Sequence, residues 1–157
     1  MKISKPLYSQ EQRAKRDATV WTLVQGILAP IQFLVCLISL TLVLRYLISG
    51  EGYEIATISV IFKTIFLYLI MLTGSIWEKV VFGKYLFAES FFWEDVFSML
   101  VISLHTLYLY FLIVGGMGKE GLMHLALAAY GSYLINAGQF IYKLRMARLQ
   151  VSNGVVV

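Results

Sequence analysis

From Ala18 to Leu44 the chain carries no Asp, Glu, Lys or Arg. That is 27 consecutive residues, and a helix needs about 20 to cross the hydrocarbon core of a bilayer. Lipid offers no hydrogen bonds, so such a run pairs its own backbone as a helix. This one stretch sets the class: an all-α, polytopic membrane protein.

Composition agrees. Hydrophobic residues make up 59% of the chain and charged ones 14%, where a soluble domain carries about 25% charged residues. The net charge of +4 does not point to nucleic acid. The basic residues cluster near the two ends, which suits membrane orientation and contact with lipid phosphates. The lone Cys36 lies inside the first apolar run, so neither an intramolecular disulfide nor a thiolate metal site is expected. A polar N-terminal segment and an overlong apolar run predict no cleavable signal.

Four spans are predicted, at about 18–44, 55–77, 96–118 and 121–142, with an interfacial segment at about 78–93, all in a single membrane domain, 1–157. Ser9 ahead of Glu11 and Gln12 predicts a short surface helix before them. Pro30 is expected to kink the first span. Gln25, Gln32 and Ser39 recur every seven residues, so they share a helical face that should point into a bundle. Lys63 interrupts the second span near its outer end and is expected to snorkel to the interface. Turns are expected at Ser49 to Gly52 and Gly115 to Gly121. The fourth span is rich in alanine and glycine, which permits close helix contact. With four spans, ten basic residues (Lys2, Lys5, Arg13, Lys15, Arg16, Lys79, Lys84, Lys143, Arg145, Arg148) share one side, against Arg45, Lys119 and Lys63. That asymmetry places both termini in the cytoplasm.

The stretch Ile76 to Thr106 holds four of the nine acidic residues, two of three tryptophans and one of two histidines. His105 follows Glu94 by eleven residues, so it lies roughly 16 Å deeper and within about 20° of the same face. Ser98 falls within about 40° of that face. Glu78 closes the second span on the same side as Glu94 and Asp95. Gln25, Asn136 and Gln139 lie at comparable depths in the first and fourth spans. The pattern is that of a polar pocket entered from the cytoplasm, rimmed by Trp77, Trp93 and neighbouring aromatics. Plainer roles stand beside it. Glu94 and Asp95 suit a helix N-terminus, Glu78 can pair with Lys79 or Lys84, and His105 can hydrogen-bond across the bundle. The aromatics form an ordinary interfacial belt, and His124 meets solvent.

Several chemistries are excluded. His105 and His124 differ in depth by roughly 10 Å, too much for a bis-histidine haem. There is no phosphate-binding glycine fingerprint and no HExxH. A small proton-coupled exporter would carry an acidic residue inside its first span, and none is there.

Four runs carry a resemblance: RDATVWTLVQGILAPIQF (Arg16 to Phe33), IWEKVVFGKYLFA (Ile76 to Ala88), FFWEDVFSMLVISLHTLYL (Phe91 to Leu109) and NAGQFIYKLRMARL (Asn136 to Leu149). In order and spacing they resemble the vinyl (bacterio)chlorophyllide hydratases of phototrophic bacteria. The resemblance implies addition of water to the 3-vinyl group of a chlorophyllide or bacteriochlorophyllide, giving a 1-hydroxyethyl group. It implies the cytoplasmic or intracytoplasmic membrane as location, pigment and water as partners, and no redox cofactor or resident metal, magnesium entering only with the substrate. Such chemistry needs a proton donor and a base, which makes Glu78, Glu94, Asp95 and His105 the catalytic candidates. Gln25, Trp77, Trp93, Ser98, Asn136 and Gln139 are the substrate-binding candidates. The rival is a non-enzymatic pigment-binding or assembly protein built on the same pocket.

Overall fold

The computed structural model describes residues 5–152. Lys2 and the tail at 153–157 lie outside the described residues. Five helices are found among them: α1 (Gln10–Ala18), α2 (Val20–Ser49), α3 (Tyr53–Phe82), α4 (Phe92–Val114) and α5 (Lys119–Ser152).

The short helix α1 begins where the sequence indicates. Ser9 Oγ accepts from the Gln12 amide at 3.2 Å, and Gln12 Oε1 accepts from the Ser9 amide at 2.9 Å. This reciprocal pairing satisfies two otherwise free donors. Thr19 then ends α1 and caps α2 through Trp21 N–H, 3.3 Å away.

Helix α2 runs on through Pro30 and stops at Gly50, whose φ of 75° is left-handed. Gly52 at φ 83° starts α3. Glycine adopts both angles without a Cβ clash, so the chain reverses within a few residues. Helices α2, α3 and α4 are each long and apolar enough to cross a membrane. Helix α5 is the longest at 34 residues, but His124, Asn136 and many small residues dilute its apolar character. It continues ten residues past Tyr142, the expected end, because no glycine or proline interrupts it there.

Each long helix buries one stripe at helical spacing: Gln32, Cys36, Ser39 and Val43 on α2; Ala56, Val60, Lys63 and Leu67 on α3; Ser98, Val101, His105 and Tyr108 on α4; Ala126, Ala129, Tyr130 and Tyr133 on α5. The opposite faces expose Leu23, Ile27, Leu34, Ile38, Phe62, Ile65 and Leu72. So continuous an apolar exterior is stable against lipid and not against water. The helices pair as two hairpins, α2 with α3 and α4 with α5, and the hairpins meet along a sparser seam. One end of the bundle gathers α1, the 83–91 connection and the last turns of α5.

Two expectations are corrected. The interfacial segment expected at 78–93 is shorter: α3 persists past 77 to Phe82, Gly83 ends it at φ 82°, and an irregular loop leads to α4 at Phe92. Lys63 does not snorkel outward. It falls in register with Ala56, Val60 and Leu67, so the helix turns it into the bundle, where it is 0% exposed.

Candidate functional site

The 83–91 loop is fastened by the two carboxyl groups that flank it. Glu78, near the end of α3, accepts the Ala88 amide at 2.6 Å. Asp95, in the first turn of α4, accepts the Phe87 amide at 2.8 Å. These are successive amides, and Phe87 has a left-handed φ of 60°. Consecutive N–H groups around a left-handed residue form a concave anion-binding nest. Such a conformation costs a non-glycine residue on the order of 1 kcal/mol, which the charge-assisted bonds offset.

Held this way, the Glu78 and Asp95 carboxyls stand beside each other and interact directly. Two buried carboxyls this close do not readily ionise together, the arrangement by which one can keep a proton while the other serves as a base. Both residues are buried.

Glu94 turns the other way around α4. Its carboxylate meets Lys143 Nζ of α5 at 3.1 Å. Its backbone carbonyl accepts from Ser98 Oγ at 2.8 Å and Asn136 Nδ2 at 2.9 Å. Ser98 also donates to Asn136 Oδ1 at 3.0 Å, and Asn136 to Gln139 Oε1 at 3.2 Å. Four of the expected residues thus form one network clamping α4 to α5. Gln25 joins a separate contact, donating to Thr73 Oγ1 at 2.6 Å.

Trp77 belongs to an aromatic cluster beside the loop. Phe91 stands at its centre, 5.8 Å from the rings of Trp77 and Phe82, 5.7 Å from Phe140 and 6.4 Å from Tyr8. The Trp77 indole donates to Thr22 at 2.9 Å. Trp93 stands apart, 70% exposed, with Phe92 as its ring neighbour.

His105 is fully buried, but ten residues past Asp95 it lies about 15 Å farther along α4. Its Nδ1 is 2.7 Å from the Val101 carbonyl. A carbonyl only accepts, so Nδ1 carries the proton and Nε2 presents its lone pair. His105 and the carboxyl pair occupy different levels and do not line one wall. Among the described residues no three His, Cys, Asp or Glu side chains come together as a metal site. A 180 Å³ cleft lined by Lys5, Leu7, Tyr142, Lys143, Met146, Ala147 and Gln150 opens beside Lys143.

Sequence reasoning missed Lys143, Lys63, Tyr8 and Phe140. Lys63's helical register with Ala56, Val60 and Leu67 was the available signal for it. By sequence Lys143 reads only as an orientation charge, and nothing local marks Tyr8 as a core residue.

A family profile described as 2-vinyl bacteriochlorophyllide hydratase (BCHF) matches residues 8–146. The protein of that name from Rhodobacter capsulatus is 63% identical over 149 residues, covering 95% of this chain and 86% of its own. Its counterpart from Cereibacter sphaeroides is 67% identical over 146 residues, covering 92% and 90%. No solved structure matches the chain.

Proposed function

The chain belongs to the 2-vinyl bacteriochlorophyllide hydratase family, and from that membership we infer that it adds water to the vinyl group of a bacteriochlorophyllide-type pigment. It is a hydratase, a hydro-lyase of bacteriochlorophyll biosynthesis, and a multi-pass membrane protein. The observation that carries the activity is identity of 63–67% over more than nine-tenths of the chain to two proteins of that name.

The reaction fits the carboxyl pair. The protonated carboxyl gives its proton to the terminal vinyl carbon, directly or through one water, and the terminal carbon becomes a methyl group. The inner carbon is left as a cation, delocalised into the macrocycle, and the neighbouring carboxylate stabilises it. A water oxygen attacks that carbon, and the carboxylate takes the water's proton, restoring an acid and a base. Glu78 and Asp95 supply both roles. Trp77 and Phe140, half-buried at the edge of the aromatic cluster, offer flat faces for a ring system. His105 Nε2 is available to a magnesium carried by the substrate. Ser98, Asn136, Gln139 and Gln25 are polar contacts along its path, and Glu94 with Lys143 holds α4 on α5. No redox cofactor takes part, because nothing is oxidised or reduced overall.

Four spans with both termini in the cytoplasm complete the reading, within a single membrane domain in the cytoplasmic or intracytoplasmic membrane. Support comes from the basic residues of the loop-bearing end: Lys5, Arg13, Lys15, Arg16, Lys79, Lys84, Lys143, Arg145 and Arg148. Helix α5, packed along α4, is the fourth span. The test is incubation of membranes containing the protein with 3-vinyl chlorophyllide. The expected product is heavier by one water and carries a 1-hydroxyethyl group. Pigment that binds and keeps its vinyl group would support the carrier reading instead.

A further inference from the structure

All four long helices send polar side chains to a level deep in the bundle: Gln32, Cys36 and Ser39 from α2, Lys63 from α3, His105 from α4, Tyr130 and Tyr133 from α5. Ser39 is satisfied by Ser59 at 2.7 Å and by the Tyr130 hydroxyl. Three members are not. Lys63 Nζ, His105 Nε2 and both amide atoms of Gln32 have no hydrogen-bond partner among the described residues. Their exposures are 0%, 0% and 1%. The Lys63 ammonium lies 3.7 Å from the centre of the Tyr133 ring and 5.9 Å from that of Tyr130. The Tyr130 ring is in turn 5.8 Å from that of His105.

Aromatic faces offset only part of the cost of taking an ammonium out of water. A lysine inside a membrane bundle is normally paired or functional. Here none of its protein neighbours bears a negative charge: its close contacts are two tyrosine rings, and its electrostatic neighbours are Cys36 and His105. An anion with apolar flanks is the ligand that would complete the set. Lys63 faces α5 across the seam between the hairpins, the less tightly packed of the bundle's contacts.

We propose that Lys63 is a docking point for a carboxylate, and that the carboxylate is the free acid side chain of the pigment substrate. This rests on the hydratase reading above. A chlorophyllide differs from a chlorophyll in leaving that acid unesterified, so the substrate that the family name implies already carries the group Lys63 would bind. Lys63 lies about 22 Å along α3 from Glu78 and about 15 Å from Thr73. With its carboxylate at Lys63, the ring system extends along the seam toward Gln25, Thr73, Ser98 and Asn136. That polar layer is where a water would link the vinyl group to the carboxyl pair.

The test titrates full-length protein in lipid nanodiscs with 3-vinyl chlorophyllide and with its methyl ester, following pigment absorbance, and measures hydration of both. Wild type should bind the acid about tenfold more tightly than the ester. K63M should bind both with the ester's affinity, and K63R should keep part of the preference. Wild type that binds acid and ester equally, or K63M that retains the preference, overturns the proposal. The wild-type comparison needs no variant, so misfolding of K63M cannot rescue the idea. Hydration that proceeds equally on acid and ester removes the carboxylate site and leaves the hydratase. Acid preference abolished by K63M, with no hydration in any sample, removes the hydratase reading and leaves the site.

Discussion

The loop end of the bundle and its middle both bury charged side chains, but they treat them differently. At the loop end each buried carboxyl group has a partner. Glu78 and Asp95 each take a loop amide, and Glu94 meets Lys143. In the middle, Lys63, His105 and Gln32 lack hydrogen-bond partners on the atoms that matter. Polar groups buried and satisfied hold a structure; polar groups buried and unsatisfied cost stability unless something else completes them. In the function proposed above, the loop end is the reaction centre and the middle the receptor. Substitutions should separate the two by moving turnover at one level and pigment affinity at the other.

The largest effect is expected at the carboxyl pair. E78Q and D95N should each lower vinyl hydration by about 100-fold or more, the scale of a lost acid–base group. Pigment affinity should change little. A fall in affinity with turnover intact would exchange the roles of the two levels. Next comes the unliganded stability of K63M. Replacing a bare buried ammonium by an apolar chain of similar volume should raise the protein's stability by about 1–4 kcal/mol, read from thermal unfolding in detergent. A lower unfolding temperature would mean that the middle is already satisfied.

E94Q should cost about 1–2 kcal/mol by leaving Lys143 unpaired. Adding K143M should recover part of that loss, and turnover per folded molecule should stay near wild type. If E94Q abolishes hydration in well-folded protein, Glu94 belongs to the reaction centre. F87G should be nearly neutral. It removes a left-handed strain of about 1 kcal/mol but frees the unfolded chain by a similar amount. A large loss of activity would show that the phenyl ring itself contacts pigment.

The class of fold was legible because hydrocarbon leaves few options. An uncharged run of 27 residues must be a helix, and Ser9 with Gln12 marked the start of α1 through its local hydrogen bonds. Glycines at 50 and 52 marked the reversal between α2 and α3. The buried face of α4 was legible for a similar reason, since periodicity puts Glu94, Ser98 and His105 together on it.

What stayed hidden depends on contacts between distant segments. Nothing local brings Lys143 to Glu94, 49 residues away, or Tyr8 onto Phe82. Helical angle gives a face but not a partner, so Glu78 and Asp95 could be nominated and not joined until the loop amides of Phe87 and Ala88 were located. Lys63 was misread because distance from a helix end was weighed and register was not.

Infrared spectroscopy of the protein in lipid tests most directly whether the Glu78–Asp95 pair holds the proton destined for the vinyl group. Wild type should show a carbonyl stretch from one protonated carboxyl that shifts when 3-vinyl chlorophyllide binds, and either E78Q or D95N should remove or displace that band. A spectrum left unchanged by both substitutions, or a pigment-sensitive band lost only in E94Q, would contradict the account.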